Sequence, residues 1–496
     1  MALSHHFVIY VVITPLLVAL LIPIVNRWKK NWIIPLTSLA LVISLTLSIL
    51  LLPNVLASGY LSYHMGSWEP PFGIEVRIDF LGLFMMILIL IVTLVVAVYS
   101  RRQISSEIED GKTATYYALY LIFSASMLGF CAAGDIFNMF VFFELTAVTS
   151  YALVAIPGTG RAIKASIKYL LMGAPASILI LFAIGLLYSV TGTLNMADLA
   201  DKITSLGYGP VVIASYVIFI TGFAVKAALF PLHIWLPDAH SIAPSPISAL
   251  LSGLFVKMGV FGVIRLVHSV YSTNLSFDLG VISGFLTWVA VAAVIYGSIM
   301  AIMQRDLKMM IAYSTVAHVG YILIGIGLTD VRALMGSMYH IMDHGLAKAC
   351  FFLCAGSIIY QSGYRKIDDL KGASRQMPLT CAAFALASLS IIGVPPTAGF
   401  ISKWYLVWGS LNADNVILGV VILLGSVMAA IYCFRILYYM YFLPPLKGNW
   451  QDTVGEAPAL MVGTSWILAI ATLVLGIVAS LILPNLQKAI EVFYIS

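Results

Sequence analysis

Long apolar runs alternate with short polar connections over the whole chain, and the spacing of the runs predicts its elements. A helix needs about 20 apolar residues to cross a hydrocarbon core. On that criterion spans are predicted at 7–26, 32–52, 79–100, 114–133, 136–156, 164–190, 208–235, 244–270, 278–302, 309–328, 334–361, 379–410, 414–443 and 460–484. The expected fold class is therefore an all-α polytopic membrane protein with about 14 transmembrane helices. The first run, Phe7 to Val25, has no basic stretch before it and is long enough to span, so it reads as a helix and not as a cleaved signal. Between the second and third runs, Pro53 to Arg77 carries Trp68, Pro70, Pro71 and Phe72 among short alternating stretches. This predicts a small extended cap, a hairpin lying over the membrane surface.

Two runs are interrupted. In KAALFPLHIWLPDAH, Lys226 follows the uncharged stretch Val211 to Ala224 and precedes Pro231, Pro237, Asp238 and His240. Proline has no backbone N–H and clashes with the preceding turn, so a helix breaks there. In SLSIIGVPPTAGFISKW, Gly393, Pro395, Pro396 and Gly399 interrupt the run and Lys403 follows. The two broken helices lie five spans apart, and an odd offset inverts topology. Residues 114–270 (helices 4–8) and 271–443 (helices 9–13) are thus expected to be two inverted five-helix repeats. Helices 1–3 and the cap fill 1–113, and helix 14 fills 444–496.

Composition narrows the class. The chain of 496 residues is 61% hydrophobic and only 9% charged, against about 25% charged in soluble domains. A net charge of +5 is small for this length and reflects loop bias, not nucleic-acid binding. Cys131, Cys350, Cys354, Cys381 and Cys433 lie in apolar segments without a CxxC and read as small core residues. Sixteen basic residues fall on one side of the alternation: Arg27, Lys29, Lys30, Arg101, Arg102, Lys112, Arg161, Lys164, Lys168, Arg305, Lys308, Arg365, Lys366, Lys371, Arg375 and Lys447. Arg77, Lys202, Arg332 and Lys488 fall on the other. The positive-inside rule puts the sixteen in the cytoplasm and both termini outside a prokaryotic cell membrane.

Charges inside spans are costly, and they mark paths or partners. Glu144 sits mid-helix and needs a cation, or else protonation and a neighbour's hydrogen bond. Asp135 before IFNMF reads as a helix N-cap. Lys226 is weighed against a lysine snorkelling from a helix end, and its deep apolar flanks favour a polar interior. Lys257 lies mid-span one helix on, while Arg265, near the outer surface, reads as an anchor. Lys308 opens helix 10 and reads equally as a relay group or a topology signal. His318 lies deeper, among Tyr313, Ser314 and Thr315. His340, His344 and Lys348 follow i, i+4, i+8 and share one face with Asp343 beside it. A His pair at that spacing can ligate a metal, but no HExxH or sulfur ligand accompanies it, so no metal site is expected. Imidazoles titrate near neutrality, so the row reads as a proton relay. Arg435 carries no functional assignment.

GDIFNMFVFFE, KAALFPLHIWLPDAH, LKMMIAYSTVAHVGY, HIMDHGLAKACFFLCAGS and GVPPTAGFISKW together resemble, in order, the motifs of the proton-translocating antiporter-like subunits. That family spans complex I (NADH-quinone oxidoreductase), Mrp-type cation/proton antiporters and energy-converting membrane-bound hydrogenases. FNMFVFFE is more similar to the branch of the hydrogenases and the D-type Mrp subunits. The resemblance covers helices 4 to 13. It implies fourteen helices, two inverted units and a hydrophilic axis along the membrane plane. It implies Glu144 as the helix 5 glutamate, Lys226 as its helix 7 partner and Lys257 as the helix 8 lysine that passes protons on. Lys308, His318, His340 and His344 would continue the axis and Lys403 would end it. The chain ends soon after helix 14 without a long lateral amphipathic helix, unlike the distal complex I subunit.

The expected function is proton translocation within a multisubunit membrane complex, an Mrp-type antiporter or a redox-driven hydrogenase-linked or ferredoxin-linked pump. Partners would be other membrane subunits, H⁺ and, in the whole complex, Na⁺. No cofactor is expected, nor an all-oxygen sodium cage, and oxidoreductase activity would belong to partners. One alternative is a stand-alone secondary transporter of a small organic anion, which broken helices and lysines also suit. Another is a membrane enzyme using His340 and His344 with a metal.

Overall fold

The computed structural model describes residues 2–271, 280–445, 450 and 455–495. Lys447 lies outside them. The helices are α1 (Ala2–Trp28), α2 (Ile33–Ser58), α3 (Phe80–Glu107), α4 (Thr113–Cys131), α5 (Ile136–Ala155), α6 (Gly160–Thr191), α7 (Met196–Leu206), α8 (Pro210–Lys226) and α9 (Trp235–Ile242). Then come α10 (Ser245–Val270), α11 (Gly280–Met303), α12 (Leu307–Gly327) and α13 (Val331–Ser362). The series closes with α14 (Pro378–Ile392), α15 (Ala398–Asn412), α16 (Val416–Tyr441), α17 (Ala459–Ile477) and α18 (Ala479–Ile495). Among the described residues, twelve helices are long and apolar enough to cross a membrane, and α8 and α14 are shorter apolar helices. The chain is a helical, multi-pass membrane protein.

The expected cap is a hairpin. β1 (Tyr60–His64) pairs antiparallel with β2 (Glu75–Asp79), Leu61 opposite Ile78. Arg77 lies 3.9 Å from the Tyr60 ring centroid, and Val76 bridges to Ala133 after α4.

Both predicted breaks are present. α8 stops at Lys226, the chain turns through 227–234 with Ala228 in the left-handed region (φ 53°), and α9 resumes it. α14 stops at Ile392 with Gly393 left-handed (φ 90°), and α15 starts at Ala398. The 208–235 run is thus a helix to Lys226 and a turn, with helical structure returning only at Trp235.

Three predicted features differ. α7 was not expected; its apolar positions are few and spaced for one face (Met196, Leu199 and Ile203 are buried), so it carries no span-length signal. The 460–484 run divides at Val478 into α17 and α18, and the second helix packs on α13 and α3. Arg265 is not a surface anchor: it is buried and both Nη atoms bond the Asp79 carboxylate, Nη2 at 2.5 Å from Oδ1. The bidentate pair ties α10 to the start of α3, so the guanidinium is held by a carboxylate of the same chain.

Two helices, α10 and α13, are buried throughout their most apolar 18-residue stretch. They cross at Gly253 and Gly345. A Cβ on Gly253 would stand 2.9 Å from the Gly345 carbonyl oxygen, and one on Gly345 3.0 Å from that of Gly253. Small residues at a crossing let backbones touch, the usual device where lipid supplies no hydrophobic drive between helices. These two helices also carry Lys257, His340, Asp343, His344 and Lys348, all buried. The charge on these two helices therefore sits where lipid does not reach.

Candidate functional site

The site begins at the first break. Lys226, 1% exposed, lies 3.5 Å from Glu144 Oε2 and donates to the Tyr151 hydroxyl at 3.3 Å. Ser177 donates to the same Glu144 oxygen. The sequence reading missed Ser177 and Tyr151. Tyr151 is seven residues beyond Glu144, two helical turns on the same face, and that spacing was a usable signal. Helix α8 ends at the lysine, and the Val225 carbonyl, which accepts from the Ala228 N–H at 3.0 Å, also accepts from Trp235 Nε1 at 2.9 Å. Trp235 stacks on Tyr169 with centroids 4.2 Å apart, so the break is closed by aromatic rings. Lys168 pairs with Asp238, in the first turn of α9, at 2.5 Å.

Between Lys226 and Lys257 the described side chains are aromatic. Lys226 lies 5.5 Å from the Phe143 centroid, and Phe143 stacks on Phe255 at 6.0 Å. Lys257 donates to the Ser252 carbonyl within a π-helical turn, Leu251–Phe255; such turns are frequent at functional positions. From Ser252 the polar series is close. Its hydroxyl meets Thr315 Oγ1 at 2.8 Å. Next to Thr315, Ser314 accepts from Lys348 Nζ, which also reaches the Ile311 carbonyl at 3.2 Å.

One turn from Lys348 the three histidines stack. Ring centroids are 4.8 Å apart for His318–His344 and 5.1 Å for His318–His340. His318 Nδ1 and His340 Nε2 are 2.9 Å apart, His318 Nε2 meets the Tyr432 hydroxyl at 3.2 Å, and His340 Nδ1 meets Ser402 Oγ at 2.9 Å. All three imidazoles are buried, and neither nitrogen of His344 has a hydrogen-bond partner among the described residues. Ser402 precedes Lys403 in sequence, so the cluster runs into the second break. Ser402 was legible as a neighbour of Lys403; Tyr432, on α16, had no sequence signal.

Two lysines rest on helix C-termini. Lys403 Nζ donates to the Ile391 and Ile392 carbonyls at 2.8 and 2.9 Å. Lys308 donates to the Ala243 carbonyl, at the end of α9, at 2.9 Å. The last carbonyls of a helix have no intrahelical donor and carry its negative pole, so an ammonium is favoured there. Lys308 is buried, more than a loop topology signal requires. Asp135 caps α5, accepting from the Asn138 N–H at 2.6 Å, as its sequence context predicts. Arg435 donates to the Ile302 and Gln304 carbonyls at the end of α11, a structural cap. Pro231, Pro395 and Pro396 all lie in the breaks. Every predicted proton-translocation residue is thus buried in the bundle except Glu144, whose side chain is 31% exposed, while the three break prolines are exposed.

Residues 133–429, more than half of the chain, match the family model described as NADH:quinone oxidoreductase/Mrp antiporter, transmembrane. The N-type subunit of a NADH-quinone oxidoreductase from Desulforudis audaxviator is 36% identical over 97% of this chain and 98% of its own length. The D-type subunit of a Na⁺/H⁺ antiporter from Alkalihalophilus pseudofirmus is 33% identical over 81% of this chain and 80% of its own. Among solved structures, the archaeal membrane-bound sulfane sulfur reductase superposes with a TM-score of 0.89, at 28% identity over 98% of this chain and 97% of that one. A chain of the Mrp complex from Dietzia has the same fold (TM-score 0.90, 22% identity, covering 100% of this chain and 98% of that one). Relatives of both the complex I and the Mrp branch therefore match over most of their length. The chain belongs to the NADH:quinone oxidoreductase/Mrp antiporter transmembrane family.

Proposed function

We propose that this chain is a proton-translocating, antiporter-like subunit of a multisubunit complex in a prokaryotic cell membrane. The observation that carries the reading is the series of buried ionisable groups from Glu144–Lys226 through Lys257, Lys348 and the His318–His340–His344 stack to Lys403. Buried lysines inside spans are costly, and such groups mark ion and proton paths. In this reading Lys226 is loaded beside Glu144, protons pass inward along the lysines and histidines, and Lys403 is the last carrier. Lys308, bonded to the α9 end, feeds or drains the middle of the series. No hydrogen-bonded chain among the described residues joins Lys226 to Lys257 across the Phe143–Phe255 contact, so in this reading transfer between them waits on water entering or on side-chain motion.

Two five-helix units of inverted topology, 114–270 and 271–443, give each broken helix its own half-channel. Fourteen spans, with both termini outside, complete the proposed topology. Support for partner subunits comes from Glu144: a carboxylate 31% exposed on the bundle wall needs protein, not lipid, over it.

The test exchanges the two break lysines for arginine in the assembled complex. Arginine keeps the charge and adds donors, yet stays protonated to above about pH 12. A carrier must release its proton, so Lys226→Arg and Lys403→Arg should assemble normally and abolish proton movement in inverted vesicles. Normal transport in both variants would remove the relay.

A further inference from the structure

Asp343 is the one wholly buried carboxylate among the described residues that no ion pair within 4 Å satisfies. Its Oδ1 accepts from the Ser390 hydroxyl at 2.5 Å. Its Oδ2 is buried and has no hydrogen-bond partner among the described residues. Ser390 is followed in sequence by the two residues whose carbonyls hold Lys403, Ile391 and Ile392. Three consecutive residues at the end of α14 thus hold the anion and the cation side by side.

The other side of the break converges on the same point. The Gly399 N–H donates to Ser390 Oγ at 3.3 Å, and a Cβ on Gly399 would stand 3.0 Å from Asp343 Oδ2. Gly399 and Lys403 are four residues apart on α15, so they share a face. Helical side chains lean toward the N-terminus, which lays Lys403 over the Gly399 turn. Its Cδ passes 3.0 Å from where a Gly393 Cβ would be. The bare Gly399 surface therefore lies between the lysine stem and the open carboxylate oxygen.

The first break has the same chemical parts. There a serine, Ser177, holds a carboxylate, Glu144, and the break lysine is 3.5 Å from it. At the second break the serine and the carboxylate are in place, and the lysine sits instead on carbonyls.

We propose that Asp343 is the counter-anion of Lys403, and that Lys403 moves between the Ile391 and Ile392 carbonyls that hold it here and the open Oδ2 of Asp343. This rests on the relay reading above and gives the second unit its own acid–base pair. No covalent bond changes. Paired with Asp343, the ammonium keeps its proton; moved back to the carbonyls, it loses the anion's field and can pass the proton on. The charged and titratable groups around Asp343 are Lys403 and Lys257, whose fields act on it, with Tyr339, His340 and His344 on its own helix; Lys403 is faced in addition by Tyr321, Cys433, His318 and His340.

The experiment uses the whole complex in inverted vesicles, with Asp343→Asn, Asp343→Glu and, as a control on the relay itself, Lys226→Arg. Asparagine keeps the acceptor for Ser390 and the side-chain volume but removes the charge. Proton transport should fall at least about tenfold, and the alkaline limb of the residual pH profile should move to lower pH by about 1–3 units, the usual reach of a neighbouring opposite charge. Asp343→Glu should restore part of the rate and return the limb toward its original position. Wild-type rate and profile in Asp343→Asn, with Lys226→Arg inactive, would overturn this proposal and leave the relay standing. Loss of transport with an unmoved pH profile and no rescue by glutamate would overturn it too, since a purely structural carboxylate behaves that way. If Lys226→Arg is also fully active, the relay reading itself has failed.

Discussion

An ammonium in a bilayer needs either an anion or oxygen atoms, and this chain uses both. Lys226 has Glu144 and the Tyr151 hydroxyl; Lys403 and Lys308 have helix-end carbonyls; Lys348 has Ser314 and a carbonyl within α12. Only the first arrangement holds the proton by full opposite charge, so Glu144 should control loading. Glu144→Gln keeps the acceptor for Ser177 and removes that charge. The variant should assemble at normal levels and transport at least about tenfold more slowly, the loss expected when proton affinity falls by about one unit or more. Glu144→Asp should keep part of the rate. Proton uptake by inverted vesicles, with the amount of assembled complex measured in parallel, checks this; full activity in the glutamine variant would make Glu144 a structural residue.

At the scale of elements, the helix ends carry most of the polar chemistry. The pair between Asp79, which caps α3, and Arg265 of α10 ties the hairpin end of α3 to the buried helix that carries Lys257. Burial pushes the Asp79 carboxyl up, but the Arg265 charge and hydrogen bonds, with the Gly82 N–H, outweigh it and hold the group below its ordinary value. A depressed carboxyl contributes stability that is complete above the ordinary carboxylate range and lost as pH falls through the folded value. The melting temperature of the purified complex should therefore drop below about pH 4. Asp79→Asn should be less stable at neutral pH by about 3 kcal/mol, the low end for a broken buried pair because Asp79 is 24% exposed, and should melt lower. It should also lose its share of the acid dependence. A variant as stable as the parent at neutral pH would show that the pair adds nothing net.

For the whole molecule, the loop contacts join ends that the alternation of spans assigns to one side. Val76 meets Ala133, Asp135 meets Asn195, and Asp306 meets Lys366. The proposed orientation puts the first two contacts outside and the third in the cytoplasm. Met65, exposed on the hairpin, and Lys366, exposed after α13, are suitable positions for single cysteines. The five native cysteines are all buried and give little background. A membrane-impermeant thiol reagent should label Met65→Cys in intact cells and Lys366→Cys only in inverted vesicles. Labelling of both from one face would overturn the proposed sidedness.

The sequence alone determined the helical membrane class, the hairpin, the sites of both breaks and the identity of most buried charges. Those follow from local quantities: the length of an apolar run, the missing N–H of Pro231 and Pro396, and the cost of a charge flanked by apolar residues. The family was legible for the same reason, since its motifs are contiguous. Pairing was not local. That Glu144 meets Ser177, that His318 meets Tyr432, and that Asp343 reaches Ser390 depend on helices distant in the chain coming together. Arg265 reads as an outer anchor until Asp79, 186 residues away, is folded against it. The short amphipathic α7 has no span-length run, and the division of the last run at Val478 follows no proline or glycine at that residue. The tertiary structure decided these because a buried polar side chain is specified by its partner across a packed interface, and single-chain periodicity carries no record of which face meets which.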